Sequence, residues 1–73
     1  MQTISNQHLM RLDYLQAFAF KVVSLTEKRK ELHIPQYEMA RQCGCSLRKI
    51  QMFENHKSLD AYILYVYKKV LFT

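Results

Sequence analysis

Only one glycine and one proline occur in the 73 residues, Gly44 and Pro35, and they fall close together in the middle of the chain. Sheet folds punctuate their strands with turns rich in these residues, and phosphate loops need several glycines, so neither is expected here. Hydrophobic residues make up 49% of the sequence, too many for a disordered basic tail. The chain is therefore expected to form a single small all-α domain. A domain of this length buries only about 60% of the surface that its unfolded chain exposes.

The helices can be placed by their punctuation. Asp13 with Gln16 three residues on reads as a capping box opening a first helix. Its apolar stripe runs through Leu12, Leu15, Phe18 or Ala19, Val22 and Leu25. The polar run Glu27 to Glu31 ends it. Residues 1–12 are read as an N-terminal extension: either a short extra helix with Leu9 and Leu12 inward, or a backward continuation of the first helix. Pro35 suits the first position of a second helix, where its missing N–H is not needed. Ile34 packs ahead of it, and Met39, Ala40 and Cys43 continue the inward stripe. Gly44 stops that helix, because glycine takes a left-handed conformation without a Cβ penalty. Ser46 is a good N-cap for the next. Two short helices, about 36–43 and 47–55, are thus joined by a tight turn. In the second, Ile50 and Phe53 face inward. After a loop at Asn55, His56 and Lys57, Ser58 is expected to cap a last helix, with Asp60 near its positive end. Leu59, Ile63, Val66 and Val70 form its core stripe. Tyr62, Leu64, Tyr65, Tyr67, Leu71 and Phe72 make the rest of it apolar as well, so it needs a second surface to pack against.

Eleven Lys and Arg against six Asp and Glu give a net charge of +5, which favours polyanions: nucleic acid or an anionic membrane. No run of 18 apolar residues exists, so no membrane span is expected. Met1 to His8 lacks a basic segment followed by an apolar one, so a signal peptide is not expected and a cytoplasmic location is.

Catalytic and metal chemistry find little support. No carboxylate pair or Ser-His arrangement stands out, so the chain is not expected to be an enzyme or to need a cofactor. Cys43 and Cys45 lack the usual two-residue spacer and a second ligand pair, so they are read as small core residues, reduced and metal-free. His8, His33 and His56 are scattered and read as surface residues. Lys28 and Lys30 read as a solvated face.

A helix, a tight glycine turn and a basic second helix make a helix-turn-helix at 35–55. Ile34-Pro35-Gln36-Tyr37-Glu38-Met39-Ala40 resembles the "Leu-Ser-Gln-x-x-Leu-Ala" opening of the lambda-repressor and Cro-like (XRE-type) DNA-binding family. Cys43-Gly44-Cys45-Ser46 resembles its "Leu-Gly-Val-Ser" turn, and Ile50 with Phe53-Glu54-Asn55 its "Ile-x-x-x-Glu" end. Ser58-Leu59 begins the matching fourth helix. The resemblance implies a compact four- to five-helix domain over 1–73 that binds double-stranded DNA as a transcriptional regulator or repressor of phage or mobile-element type, in a bacterial or phage-infected cell.

By the same resemblance, Leu47, Arg48, Lys49, Gln51 and Met52 face the bases of the major groove. Gln36, Ser46, Asn55 and Lys57 lie at phosphates, with Gln36 also bracing the recognition helix. Arg29 and Glu54 match a structural ion pair. Pro35 stands where the family has a Ser or Thr cap. His56 stands where it has a glycine, which moves the turn to a neighbour such as Asn55. Leu47 and Met52 are apolar where polar readers are common. Tyr62, Tyr65, Tyr67 and Phe72 are expected to pack rather than to stack on bases. A homodimer through the last helix and the Phe18 to Phe20 region is a further expectation. The alternative function is a protein-binding module on the same fold that captures another regulator.

Overall fold

The computed structural model describes the backbone of residues 6–72 and the side chains of residues 12–72. Four helices follow one another: α1 (Asn6–Glu31), α2 (Gln36–Cys43), α3 (Leu47–Glu54) and α4 (Ala61–Leu71), with no strand among the described residues. None of the helices is long and apolar enough to cross a membrane.

The first helix runs back past the Asp13 capping box to Asn6, the backward continuation that is one of the two readings of this segment. Asp13 lies inside α1 and is exposed. His8 to Leu12 contain no glycine, proline or β-branched residue, and Leu, Met and Arg are good helix formers, so nothing stops the helix from running back to Asn6. The inward placement expected for Leu9 concerns a side chain outside those described. Leu12 is exposed, and among the described side chains of α1 the first one buried in the core is Phe18. At 26 residues, α1 is about 39 Å long. It gives the molecule its 51 × 21 × 17 Å outline.

Three helix ends close in the same way. A residue just past each end takes a left-handed conformation: His33 (φ 58°) two positions after Glu31, Gly44 (φ 69°) directly after Cys43, and His56 (φ 62°) two positions after Glu54. In each, its N–H bonds back three residues and the next N–H bonds back five: His33 to Lys30 and Ile34 to Arg29, Gly44 to Arg41 and Cys45 to Ala40, His56 to Phe53 and Lys57 to Met52. This is the Schellman closure. The turn expected at Asn55 is therefore made by His56, while Asn55 has φ −91°. Histidine enters the left-handed region more readily than most side chains, so the missing glycine is replaced in place.

Helix starts correct two further expectations. Pro35 is the N-cap of α2 rather than its first residue, with φ −73° and ψ 158°; it stands at the cap position before Gln36 and, as expected there, supplies no side-chain cap. Asp60, not Ser58, caps α4: its Oδ1 accepts from the N–H groups of Tyr62 (3.0 Å) and Ile63 (3.1 Å). Leu59 consequently precedes the helix and is exposed instead of joining the core.

The core joins all four helices. Phe18, Val22 and Leu25 from α1 meet Met39, Ala40 and Cys43 from α2, Ile50 and Phe53 from α3, and Ile63, Val66, Tyr67 and Leu71 from α4. Ile34, Cys45, Leu64 and Val70 pack at its edge. Phe53 sits at the centre, edge-on to Phe18 at 6.2 Å and 5.0 Å from the Tyr67 ring. Full burial of such a side chain stabilises the fold by about 1.5–3 kcal/mol. Of the aromatic residues expected to pack on α4, only Tyr67 is buried; Tyr62, Tyr65 and Phe72 are exposed. Phe18 is likewise a core residue, so only Phe20 of the Phe18 to Phe20 pair is on the surface.

Candidate nucleic-acid interface

α2 and α3 are eight residues each, separated by Gly44, Cys45 and Ser46. The Ser46 Oγ accepts from the Lys49 N–H at 3.2 Å, which fixes where α3 begins. Ile50 and Phe53 are fully buried and hold one face of α3 against the core. The residues expected to face DNA are all on its other sides: Leu47, Arg48, Lys49, Gln51 and Met52 are exposed. Arg48 has no ion-pair or hydrogen-bond partner among the described residues. Lys49 leans toward the start of α4, its Nζ 3.6 Å from Asp60 Oδ2. Its side chain stays 55% exposed.

The far end of α3 is fastened by Glu54. Arg29 donates to it twice, from Nε to Oε2 at 2.7 Å and from Nη2 to Oε1 at 2.9 Å. Gln36 Nε2 donates to Oε1 at 3.0 Å, and the Tyr67 hydroxyl donates to Oε2. Arg29 also donates from Nη1 to the Ile34 carbonyl at 2.8 Å. One carboxylate thus ties α3 to α1, α2 and α4. The Arg29 and Glu54 side chains are only 9% and 5% exposed, so the charges have left water together with their partners. Burial pushes the Glu54 carboxyl up. The hydrogen bonds from Arg29, Tyr67 and Gln36 and the Arg29 charge outweigh it and hold the group below its ordinary range. Burial, then the bond to Glu54 and its charge, push the Tyr67 phenol well above its ordinary value.

The other expected residues fall as follows. Gln36 is partly buried with its amide N–H directed at Glu54, which is a bracing geometry. Ser46 is engaged as the α3 cap. Asn55 and Lys57 are exposed in the turn after α3. Cys43 is buried and Cys45 half-buried; burial first, then the neighbouring Cys45, push the Cys43 thiol up to about 11. No group of three or more His, Cys, Asp or Glu that could hold a metal occurs among the described residues.

Tyr67 is the member of the Glu54 cluster that sequence reasoning missed, having been placed on the outer apolar face of α4. Its spacing of four from Ile63 and of four to Leu71 was the available signal, because all three share one side of a helix.

The chain matches no protein-family model, no curated protein and no solved structure.

Proposed function

We propose that α2, the turn and α3 act as a helix-turn-helix of the lambda-repressor kind, and that the protein is a small DNA-binding transcriptional regulator. One observation carries the reading. From Cys45 to Leu59 the only acidic side chain is Glu54, and it is buried and paired, while Arg48, Lys49, Gln51, Asn55 and Lys57 are exposed. The outward side of α3 is therefore cationic and hydrogen-bonding; the one acidic group beside it that the structure pairs with an α3 cation is Asp60, at the start of α4 and 3.6 Å from Lys49.

α3 is about 12 Å long and fits the major groove, which is about 12 Å wide. Arg48, unpaired and next to the helix start, is the side chain best placed to bond guanine O6 and N7 in a bidentate manner. Gln51, one turn on, suits adenine. Lys49 and Lys57 supply phosphate contacts that position the helix without reading sequence. The buried Glu54 cluster holds α3 at a fixed angle to the rest of the molecule, so base-reading groups stay in register.

The test is selection of bound duplexes from random DNA. A recovered motif with a guanine whose preference relaxes in Arg48→Ala supports the reading; recovery of no motif by the wild-type protein counts against it.

Leu47 and Met52 favour a second reading. They are 43% and 37% exposed, one on either flank of the outward side of α3. Apolar groups there suit a protein partner that covers α3 in place of DNA. Loss of partner binding in Leu47→Ser with no measurable DNA binding by the wild-type protein would select that reading.

A further inference from the structure

A second surface lies between α1 and the C-terminal half of α4. It is an open groove of about 410 Å³ lined by Phe20, Lys21, Ser24, Leu25, Lys68 and Phe72. No residue of α2 or α3 contributes to it. Its walls are apolar: Phe20 is 74% and Phe72 63% exposed, large rings that a small domain does not ordinarily leave in water together. Its rim is cationic. Lys21 and Lys68 flank it; Lys28, whose Nζ stands 5.9 Å over the Phe72 ring, is itself 3.7 Å from Glu31 and adds no free charge. The volume lies within the roughly 300–1,000 Å³ range of ligand clefts, large enough for bulky apolar anchors.

The charges choose the occupant. A second copy of this chain brings the same lysines to the groove and little to neutralise them. Of its six acidic residues, Glu31, Glu38, Glu54 and Asp60 already face Lys28, Arg41, Arg29 and Lys49. That leaves Asp13 and Glu27, both on α1 itself. A partner for this groove must carry its own carboxylates beside apolar side chains. The groove runs between two helices, and a third helix laid into such a trough presents anchors at i, i+3, i+4 and i+7.

We propose that this groove docks an acidic amphipathic helix of a partner protein, its apolar side chains seated on Phe20, Leu25 and Phe72 and its carboxylates reaching Lys21 and Lys68. Docking there leaves α3 uncovered, so the partner and whatever α3 binds are held at the same time. The inference does not depend on α3 binding DNA.

The experiment titrates the full isotope-labelled chain with a synthetic helical peptide of about 18 residues, long enough to hold a helix. It carries Leu and Phe at i, i+3, i+4 and i+7 and Glu at the exposed positions. A matched peptide has Lys in place of every Glu. The expected result is saturable shifts of amide signals along 20–28 and 64–72 with the Glu peptide only. Lys21→Glu combined with Lys68→Glu should weaken that peptide by about tenfold and admit the Lys peptide, as two part-exposed ion pairs allow. Phe20→Ser should weaken the Glu peptide as well. All three side chains are exposed, so the circular dichroism of the variants should match the wild type. Four outcomes would overturn the proposal: no shift, equal binding of both peptides, shifts confined to α3, or concentration-dependent shifts along 20–28 and 64–72 without any peptide, which would assign the groove to a second copy.

Discussion

The outward sides of α3 and α4 are both cationic, yet they are built from different materials. On α3 the charges of Arg48 and Lys49 stand beside Gln51, and the apolar groups are the modest Leu47 and Met52. On α4 the charges of Lys68 and Lys69 stand among Tyr62, Tyr65 and Phe72, and Lys69 lies 5.9 Å over the Tyr65 ring. A net charge of +5 cannot tell these surfaces apart. What separates them is the support behind the charge and the company it keeps. α3 is held at both ends, by the Ser46 cap and the Glu54 cluster, so its side chains are presented at a fixed angle. The α4 surface is a flank of exposed rings beside a groove, suited to burial rather than to reading hydrogen-bond patterns.

The sharpest way to break this comparison is to release α3 without touching its surface. Arg29→Met strands the Glu54 carboxylate in the core, and breaking one side of a buried pair typically destabilises by about 3–5 kcal/mol. Phe72→Ser, on the other face, should stay within about 0.5 kcal/mol. Denaturant unfolding of the two variants checks both, and equal effects would mean that the Glu54 cluster gives α3 no special support. The same cluster sets a pH response. The Glu54 pKa is depressed in the folded state, so its contribution is complete above the unfolded carboxylate value of about 4.3. It is lost as pH falls through the folded value. Wild-type stability should therefore drop in acid by more than that of Glu54→Gln, as midpoints from pH 7 to pH 3 would reveal.

Smaller effects distinguish the faces in binding. Arg48→Ala should cost about 1–3 kcal/mol on a preferred duplex and relax one base pair, whereas Lys68→Ala should leave that preference unchanged. Competition binding with single-base variants separates the two. Ser46→Ala should lower stability by about 1 kcal/mol through the lost cap, measurable as a shifted unfolding midpoint. Thr26→Val should go the other way. The Thr26 hydroxyl is buried without a hydrogen-bond partner among the described residues, and removing a buried unsatisfied group recovers about 1 kcal/mol or more.

Much of this arrangement is legible in the sequence, where single residues carry unambiguous signals. Gly44 and Ser46 punctuate α2 and α3, and their alternation of buried and exposed positions follows directly. The pairing of Arg29 with Glu54 came from a family resemblance rather than from periodicity. Signals with two equivalent readings misled. Asp13 and Gln16 fit a capping box and equally a helix interior, and only the helix-forming character of His8 to Leu12 decides between them. Ser58 and Asp60 are both good caps two residues apart; choosing Ser58 drew Leu59 wrongly into the core stripe. The turn at His56 was illegible because a left-handed histidine has no sequence mark of the kind that glycine gives. Tyr67 was misplaced because a tyrosine in an all-apolar helix carries no sign of a buried hydroxyl partner. The tilt of Lys49 toward Asp60 depends on how α4 approaches α3, which no local pattern encodes.

The central claim is that the outward side of α3 binds duplex DNA. Fluorescence anisotropy of the wild-type protein on a random duplex, followed from low to physiological salt, tests it most directly. Binding should weaken linearly on a double-logarithmic plot. Lys57→Ala should flatten the slope by roughly one unit, and Lys68→Ala should leave it unchanged. An absence of salt-dependent binding to any duplex, or a slope that responds to Lys68 and not to Lys57, would contradict the account.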